Sequence, residues 1–325
     1  MIITAILALL FTTFGHASEV RPLVNKNILA LKLAAEFKLD AAYIRKSLHT
    51  AQFQPEIISR MERPYEAQPY RVYRKSFVNK QRIQLGSEYL KKHRGVFAKA
   101  YKKYGVQPEI IAAIIGVETL YGQRTGRDRL LDALYTLSAG YPRRATFFQK
   151  ELGYFLEMCQ QEQIDPARPT GSMAGAFGIP QFMPSSFHSY AVDGNGDGRR
   201  DLWNSPDDAI FSVANYFSRF KWDGSRPVAH WLPKKPHHSK LVMLNKKSTE
   251  LWTKLGSVRN TGLPHIWRDD DRISLVEMET EKGKRTALVH YNFRVIMRYN
   301  RSHNYAMAVS ELAAGLGCKI CVSSS

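Results

Sequence analysis

The carboxylate at position 118 lies within a run of apolar residues, Ile110 to Tyr121, whose pattern predicts a helix buried on all sides. A carboxylate there loses hydration, and it lies in the last turn, beside the negative end of the helix dipole. Both effects disfavour the charged form, so we expect the pKa of Glu118 to lie above the ordinary value of about 4.3. A carboxylic acid that keeps its proton at neutral pH is suited to protonating a glycosidic oxygen. From the residues alone, a structural role for Glu118, in an ion pair with Arg124 or Arg127, is an equally good interpretation.

A stretch rich in glycine and alanine, residues 171–186, offers a second set of groups. Its small side chains allow another backbone or a sugar to approach closely. Ser172 and Gln181 supply neutral hydrogen-bonding groups, and Phe182 supplies an apolar face. From the residues alone, a tightly packed loop is as good an interpretation as a binding site.

The next segment has the spacing of the opening half of an EF-hand calcium loop. That pattern requires side-chain oxygens at positions one, three and five, glycine at six and a backbone carbonyl at seven. We prefer calcium to a plain turn here, because closely spaced acidic oxygens repel one another without a cation. The predicted ligands are the side chains of Asp193, Asn195 and Asp197 and the carbonyl group of Arg199.

The second half of this loop departs from the pattern. Position twelve is Asn204, where a bidentate glutamate is usual. We therefore expect the missing carboxylate to come from the start of the following helix, from Asp208 or else from Asp207. A role in capping that helix is, for Asp208 by itself, an equally good interpretation.

Hydrophobic periodicity predicts that the scaffold of these groups is mostly helical. Ser205 followed by Pro206 is a typical helix start. Two apolar runs around a turn at 281–284 predict a β-hairpin. The predicted fold class is mainly α (α+β), with a helical core and a small β-rich insertion near 223–296. Helices are expected within 22–63 and over 78–104, 109–121, 127–138, 144–160, 206–220 and 302–316, and hairpin strands over 273–278 and 287–297.

Charge and the N-terminal segment restrict the classes of partner. The chain has 47 Lys and Arg against 29 Asp and Glu, a formal net charge of +18, so it prefers an anionic partner. Residues 1–17, an apolar run that ends in a small-x-small pattern at Ala17, predict a signal peptide and export to the periplasm. A basic residue before the apolar run is missing, so a retained anchor is the alternative. Export favours an anionic envelope polymer or a membrane surface over nucleic acid, and charge alone does not decide between these two. We expect a monomer.

The three cysteines are too few for a disulfide framework. Cys318 and Cys321 are spaced to close a small disulfide or to form half of a metal site. No second cysteine pair or histidine cluster completes such a metal site. We therefore prefer a frayed tail, residues 318–325, with incidental thiols.

Taken in order and spacing, these motifs resemble the membrane-bound lytic murein transglycosylase B family, which is lytic transglycosylase family 3 and glycoside hydrolase family 103. The resemblance covers roughly residues 22–317, although the lipoprotein cysteine of the best-known members is absent. The motifs that carry it are Val-Glu-Thr-Leu-Tyr-Gly at 117–122, the Gly-Ser block at 171–186, the Asp193 loop up to Trp203, Val-Ala-Asn-Tyr-Phe at 213–217, Tyr-Asn-Arg-Ser at 299–302 and Tyr-Ala-Met-Ala-Val at 305–309.

The resemblance implies an N-terminal α-domain, a lysozyme-like core that carries the EF-hand-like loop, and a small β-rich domain. We expect one catalytic region, 18–317. Its parts are α-domain residues 18–77, a core with an α-domain insertion at 78–222, the β-rich part at 223–296 and a return helix at 297–317.

The resemblance also implies the roles of the site residues. Glu118 is the catalytic acid/base, calcium is held by the Asp193 loop with Asp208 closing it, and no organic cofactor is needed. The implied glycan groove is lined by Ser172, Gln181, Phe182, Tyr216, Tyr299, Asn300 and Tyr305.

A glycosidase normally uses two carboxylates, yet only Glu118 lies in an apolar setting suited to catalysis. A single carboxylate favours a substrate-assisted reaction, and the resemblance implies non-hydrolytic cleavage of the bond between N-acetylmuramic acid and N-acetylglucosamine in peptidoglycan strands, with a 1,6-anhydro end as product. The alternatives are a hydrolytic muramidase, a non-catalytic calcium-dependent glycan-binding protein and, with less support, an exported nucleic-acid binder. The further partners expected are the membrane, by peripheral contact, or proteins of cell-wall synthesis and division.

Overall fold

The computed structural model describes residues 21–62, 68–261, 263 and 267–324. The predicted signal peptide, 1–17, lies outside the described residues. Within those ranges, none of the helices is both long and apolar enough to cross a membrane. The described helices are α1 (Lys26–Phe37), α2 (Ala41–Thr50), α3 (Pro55–Met61), α4 (Tyr70–Phe77), α5 (Lys80–Lys92), α6 (Arg94–Tyr104), α7 (Pro108–Thr119), α8 (Leu130–Gly140), α9 (Ala145–Gln161), α10 (Pro184–Tyr190), α11 (Pro206–Arg219), α12 (Ser239–Lys247), α13 (Tyr291–Tyr299) and α14 (His303–Gly315).

Short 3-10 helices span Pro142–Arg144, Ser248–Glu250 and Leu255–Thr261. The described strands are short except for those of one hairpin. The described strands are β1 (Asp128–Arg129), β2 (Thr170–Gly171), β3 (Ala229–Trp231), β4 (Thr253–Lys254), β5 (Arg272–Thr280), β6 (Gly283–His290) and β7 (Val322–Ser324).

The N-terminal helices begin at side-chain caps and pack on the middle of the chain. Asn25 accepts a hydrogen bond from the amide of Asn27 at 2.7 Å, and Asp40 accepts one from the amide of Ala42 at 3.0 Å. Each cap satisfies an amide that the helix itself leaves without a partner. α1 then packs against α2 and α9, and α3 packs against α8.

The helix predicted over 78–104 is two helices, α5 and α6, so its prediction as one continuous helix was wrong. His93 separates them, with φ −106° and ψ 23°, and its ring centroid lies 4.6 Å from that of Tyr89. Gly95 follows at the start of α6, and glycine lowers helix propensity by about 1 kcal/mol relative to alanine. Periodicity alone does not reveal such a break, because both halves keep the helical spacing.

Helix α7 is buried as its composition predicts. Every residue from Ile110 to Val117 is buried, as is Thr119. α7 packs against α5, α11 and α14, so it lies at the centre of the helical core. Gly116 leaves room for the Tyr121 hydroxyl, since a Cβ at this position would lie only 2.6 Å from it. The prediction of a central apolar helix is confirmed.

A five-stranded sheet, ordered β4-β5-β6-β3-β7, covers one side of the core. The β5–β6 hairpin pairs Thr280 with Gly283, which confirms the predicted turn. Alternate side chains of the hairpin enter two different apolar clusters. Val276 and Val289 join the main core, whereas Leu275 and Leu288 join a smaller cluster that includes residues of α12.

The second hairpin strand was predicted to continue to residue 297, but it ends at His290 and is followed by α13. The side chain of His290 accepts a hydrogen bond from the amide of Asn292 at 3.1 Å and caps the new helix. Phe293, Val295 and Met297 alternate as they would in a strand, which explains the wrong prediction.

The C-terminal segment forms a disulfide and a strand within the described residues 318–324, so the preferred interpretation as a frayed tail was wrong. Cys318 and Cys321 form a disulfide, with their Cα atoms 5.5 Å apart. Strand β7 follows immediately and pairs in parallel with β3. The short spacing of the two cysteines suits a turn, and the side chain of Cys321 is buried.

Candidate active site

Glu118 lies in the last turn of α7 and is only partly buried, between the buried residues Val117 and Thr119. The hydroxyl group of Tyr305, on α14, donates a hydrogen bond of 2.6 Å to Glu118 Oε1. Tyr305 itself is 2% exposed. The carboxylate of Glu118 therefore lies at the boundary between the protein interior and the surface, and the buried phenol of Tyr305 orients it.

Two tyrosines of the C-terminal segment stand side by side behind the carboxylate. The rings of Tyr299 and Tyr305 are stacked, with centroids 6.5 Å apart and planes 9° apart. The Tyr299 hydroxyl donates to the carbonyl of Pro180 at 2.5 Å. Burial, followed by the nearby charge of Glu118, raises the pKa of both phenols well above their ordinary value. Both hydroxyls thus keep their protons and remain hydrogen-bond donors.

The chain leaves α7 through three successive left-handed residues. Leu120, Tyr121 and Gly122 have φ values of 52°, 60° and 86°. Non-glycine residues adopt this conformation only at an energetic cost, and such strain often occurs at functional sites. The turn ends the helix directly after Glu118 and Thr119.

Two residues that the sequence analysis did not select support this turn. The Tyr121 hydroxyl donates to the carbonyl of Arg82 at 2.9 Å, and the Arg82 guanidinium donates to the carbonyl of Gly116. A cation near a helix C-terminus also offsets the helix dipole. Tyr121 lies in the motif at 117–122 that carries the family resemblance. Arg82 is one of many basic residues in its segment, and no sequence pattern distinguishes it from the others.

Thr119 connects α7 to the glycine-rich stretch. Its hydroxyl donates to the carbonyl of Ile179 at 2.7 Å and accepts from the amide of Gly122 at 3.0 Å. The residue is buried. The end of the helix and the loop over it therefore move as one unit.

The stretch 171–186 is a compact loop, in agreement with the packing interpretation of its small residues. Ser172 accepts from the amide of Ala176 at 3.1 Å and so closes a tight turn. A Cβ on Gly178 would lie 2.5 Å from the carbonyl oxygen of Leu202. Gln181, with φ 51°, donates from its amide group to the carbonyl of Thr125 at 3.0 Å. Ser172 and Gln181 are both partly exposed, so each also faces the surface.

The aromatic residues predicted for the groove form one cluster beside Glu118. Phe182 lies 6.0 Å from Tyr216 and 6.0 Å from Tyr299 between ring centroids. Phe182 and Tyr216 are 2% and 6% exposed, so the rings mainly support the wall from behind. Asn300 follows Tyr299 directly and is half-buried.

A second buried carboxylate holds the far end of the loop. Glu151, in α9, accepts from the amide of Ser185 at 2.9 Å and from its hydroxyl at 2.7 Å. Burial raises the pKa of Glu151, and the two hydrogen bonds from Ser185 oppose this. Sequence reasoning missed Glu151, because a carboxylate within a long helix usually faces solvent.

The Asp193 loop folds around its own backbone amides. Asp193 accepts from Gly196 at 2.6 Å and from Gly198 at 2.8 Å, and Asn195 accepts from Asp197 at 3.0 Å. These amides, that of Gly198 first, hold the pKa of Asp193 below its ordinary value. Asp197 in turn accepts from the amide of Arg199 at 2.9 Å.

Asp208, rather than Asp207, is the carboxylate that forms hydrogen bonds with the loop. It is fully buried and accepts from the amides of Gly194 at 2.8 Å and Asp201 at 2.7 Å. Burial raises its pKa. The cap of α11 is instead Ser205, which accepts from the amide of Asp208 at 3.2 Å. The loop offers the oxygen donors that calcium prefers, yet among the described residues no three His, Cys, Asp or Glu side chains converge as a metal site would require.

A partly buried carboxylate at the end of a central helix, with a wall of aromatic rings beside it, defines a mostly helical, lysozyme-like class of protein. The chain belongs to the family described as "Transglycosylase SLT domain", which matches residues 26–314. It is 42% identical over 248 residues to the membrane-bound lytic murein transglycosylase B of Escherichia coli (strain K12). That match covers 74% of this chain and 65% of the E. coli protein, so it spans slightly less than two thirds of the relative's length.

Solved structures with the same fold cover nearly the whole chain. The soluble lytic transglycosylase SltB1 of Pseudomonas aeruginosa is 37% identical, with a TM-score of 0.81 over 89% of this chain and 97% of its own. The E. coli lytic transglycosylase Slt35 in complex with calcium is 36% identical, with a TM-score of 0.77 over 90% and 93%. SltB3 of P. aeruginosa in complex with NAG-NAM-pentapeptide is 28% identical, with a TM-score of 0.80 over 90% and 80%.

Proposed function

We propose that the protein is a lytic transglycosylase that cleaves the glycan strands of peptidoglycan, with Glu118 as its only acid/base. The observation that carries this proposal is the 2.6 Å hydrogen bond from the buried phenol of Tyr305 to Glu118 at the end of α7. Membership of the transglycosylase family supports it. So does a related protein that was solved with a NAG-NAM-pentapeptide ligand.

In the proposed reaction, Glu118 gives its proton to the oxygen that leaves C1 of N-acetylmuramic acid as the C1–O bond breaks. The resulting carboxylate removes the proton from the C6 hydroxyl of the same sugar. The C6 oxygen then bonds to C1 and forms the 1,6-anhydro ring, so no water is consumed. Tyr305 donates to the carboxylate in its charged form, and a hydrogen bond to a charged group is worth about 1.5–3 kcal/mol.

We also propose roles for the remaining site residues. We assign the polar edge of the groove to Ser172, Gln181 and Asn300. Contact with the sugar rings is assigned to the partly exposed Tyr299, and support behind it to the buried rings of Phe182, Tyr216 and Tyr305. Stem-peptide carboxylates on the strands are a suitable partner for a chain of net charge +18, whereas nucleic acid is not proposed as a ligand.

The proposed division of the chain remains that expected from the sequence. It has a signal peptide at 1–17, α-domain residues at 18–77, the core with its insertion at 78–222, the β-rich part at 223–296 and the return helix at 297–317. Packing of α1 and α3 on α9 and α8 supports one α-domain made of both N-terminal and inserted helices. A periplasmic location, a monomeric state and contacts with cell-wall synthesis or division proteins belong to the same proposal.

We further propose that the Asp193 loop binds a structural calcium ion. The ligands would be Asp193, Asn195, Asp197 and the carbonyl group of Arg199, and Asp208 would hold the loop closed. The loop spacing and a related protein solved with calcium support this. The ion would neutralise the loop carboxylates, and the reaction itself would not involve it.

The test is muropeptide analysis of purified sacculi digested by wild type and by Glu118→Gln. Wild type should release products with 1,6-anhydro ends, and Glu118→Gln should release none while it still binds sacculi. Glu109→Gln, at the opposite end of the same helix, is the matched control and should keep its activity.

Other products would identify the other candidate functions. Reducing ends that carry one added water would assign a hydrolytic muramidase. Binding of sacculi without any cleavage by wild type would assign a glycan-binding protein.

A further inference from the structure

A small cationic cavity lies between the end of α11 and one face of α13. Its volume is about 190 Å³. Four cations line it, Arg219, Lys221, Arg294 and Arg298, together with the rings of Phe220 and Tyr291. Among the described residues that line this cavity, none is Asp or Glu. We call it the arginine cavity.

The charges of the arginine cavity are not compensated by the protein around it. Within the described ranges, no carboxylate forms an ion pair with any of its four cations. Nearby Arg226 shows the opposite arrangement, since it faces Asp223 at 3.6 Å and Asp271 at 3.1 Å. The cations of the cavity are therefore available to an external anion.

Two arginines of the cavity lie on one helix and near aromatic rings. Arg294 and Arg298 are four residues apart and thus share one face of α13, an arrangement of like charges that destabilises a helix. The guanidinium carbon of Arg298 lies 5.7 Å from the centroid of the Phe220 ring, and that of Arg294 lies 5.9 Å from the Tyr291 ring. Guanidinium groups held against rings are well placed to bind a carboxylate with two hydrogen bonds.

A continuous row of rings connects the arginine cavity to the active site. Phe220 lies 4.9 Å from Tyr216, and Tyr216 lies 4.9 Å from Tyr299, which stacks on the tyrosine that binds Glu118. Arg298 directly precedes Tyr299 in the chain. Burial raises the pKa of Tyr216, and the charge of Arg298 opposes this, which agrees with a short separation between the two. The arginine cavity and Glu118 thus adjoin the two ends of one row of rings, formed by Phe220, Tyr216, Tyr299 and Tyr305.

We propose that the arginine cavity is an anionic subsite that binds a carboxylate of the peptide attached to the glycan strand, beside the groove that binds the sugars. This inference rests on the proposed function, because it needs a peptidoglycan strand in the groove. The cavity is smaller than the roughly 300–1,000 Å³ of typical ligand pockets, so it accommodates one acidic group rather than a whole peptide.

The experiment compares strands that carry peptides with strands from which the peptides have been removed enzymatically. The variant is the double substitution Arg219→Gln and Arg294→Gln, which avoids the residues assigned to the glycan groove. The KM of the double variant for peptide-bearing strands should rise about 10-fold, the effect of losing two charge-assisted contacts near the surface. Its KM for bare strands should change less than twofold.

The matched control is Arg45→Gln with Lys46→Gln on α2, which removes the same two charges from exposed positions. This control should leave both KM values within twofold of wild type. Equal effects on both substrates, or an effect no larger than that of the control, would overturn the inference. Wild type that cleaves neither substrate would reject the proposed function instead.

Calorimetric titration tests the subsite without any cleavage. The probes are the free acidic stem peptide, the same peptide with its carboxylates amidated, and inorganic phosphate. Wild type should bind the free peptide about 10-fold more tightly than the double variant does, and the amidated peptide should not bind. Phosphate that binds as tightly as the peptide would reduce the cavity to a general anion site and contradict the assignment.

Discussion

The hydroxyl of Thr119 donates a 2.7 Å hydrogen bond to the carbonyl of Ile179, which joins the end of α7 to the glycine-rich loop. The two residues are 60 positions apart in the chain. Glu118 is the residue before Thr119, so this buried contact helps to fix the position of the carboxylate.

Replacing Thr119 with valine should lower both stability and activity. Valine has a similar shape but leaves the amide of Gly122 without its acceptor, which costs about 1–3 kcal/mol. The kcat on sacculi should fall roughly 10-fold, because small misplacements of a reacting group are costly. Ser310→Ala is the control, since the Ser310 hydroxyl is also buried but bonds only within its own helix, to Ala306 at 2.7 Å. Equal losses of kcat in the two variants would reject the special role of Thr119.

Replacing Tyr305 with phenylalanine should reduce kcat by about 10- to 100-fold. The ring and its packing are retained, whereas the hydrogen bond to Glu118, of a kind worth about 1.5–3 kcal/mol, is lost. Tyr89→Phe is the control, because the buried Tyr89 hydroxyl has no hydrogen-bond partner among the described residues. Steady-state kinetics and thermal unfolding of both variants distinguish a catalytic loss from a general one. A Tyr305→Phe enzyme with wild-type kcat would show that the phenol does not assist Glu118.

His290 should make the protein less stable in mild acid. Burial is the main cause that lowers the pKa of His290 below 6.5, and Asp271, whose carboxylate lies 3.4 Å away, opposes it. The folded state then binds fewer protons than the unfolded state, so the free energy of unfolding falls as the pH drops through and below 6.5. Denaturant unfolding at pH 5 and pH 8 measures this difference.

His290→Asn should reduce that pH dependence while it keeps an acceptor for the cap of α13. Exposed His49, changed to glutamine, serves as the control and should leave the pH dependence as it is in wild type. If the free energy of unfolding of His290→Asn depends on pH as it does in wild type, the effect belongs instead to His230, the other histidine buried among the described residues.

Calcium should raise the melting temperature of wild type, and a chelator should reverse the increase. Asp193→Asn should weaken this response, since it removes one of the charges that the ion would neutralise. Asp165→Asn is a matched control, because Asp165 also accepts a hydrogen bond from a nearby backbone amide, that of Ala167, but lies outside the loop. If millimolar calcium leaves the melting temperature of wild type unchanged, the loop is a plain turn.

Local patterns predicted the elements that depend on local physics. The uninterrupted apolar run predicted a buried α7, and Ser205 with Pro206 predicted the start of α11, whose cap is a 3.2 Å hydrogen bond. The position of Glu118 in the last turn of its helix also followed from the sequence alone. Each of these features involves neighbours within a few residues.

Features that depend on tertiary contacts could not be found in this way. Tyr305 and Glu118 are 187 positions apart, and only the resemblance to a family brought Tyr305 into the site. Arg82 and Glu151 act on backbone groups that are far away in sequence, so no local pattern marks them. The alternation of apolar residues after His290 favoured a strand, although a single side-chain cap begins a helix there.

Strand β7 has one further consequence for the molecule. The row of backbone groups on one side of β3 is covered by β7 through the register Ala229 to Val322. An uncovered edge strand invites pairing with another molecule and hence aggregation. The disulfide between Cys318 and Cys321 closes the turn just before β7, so its reduction should weaken the pairing that covers this side of β3.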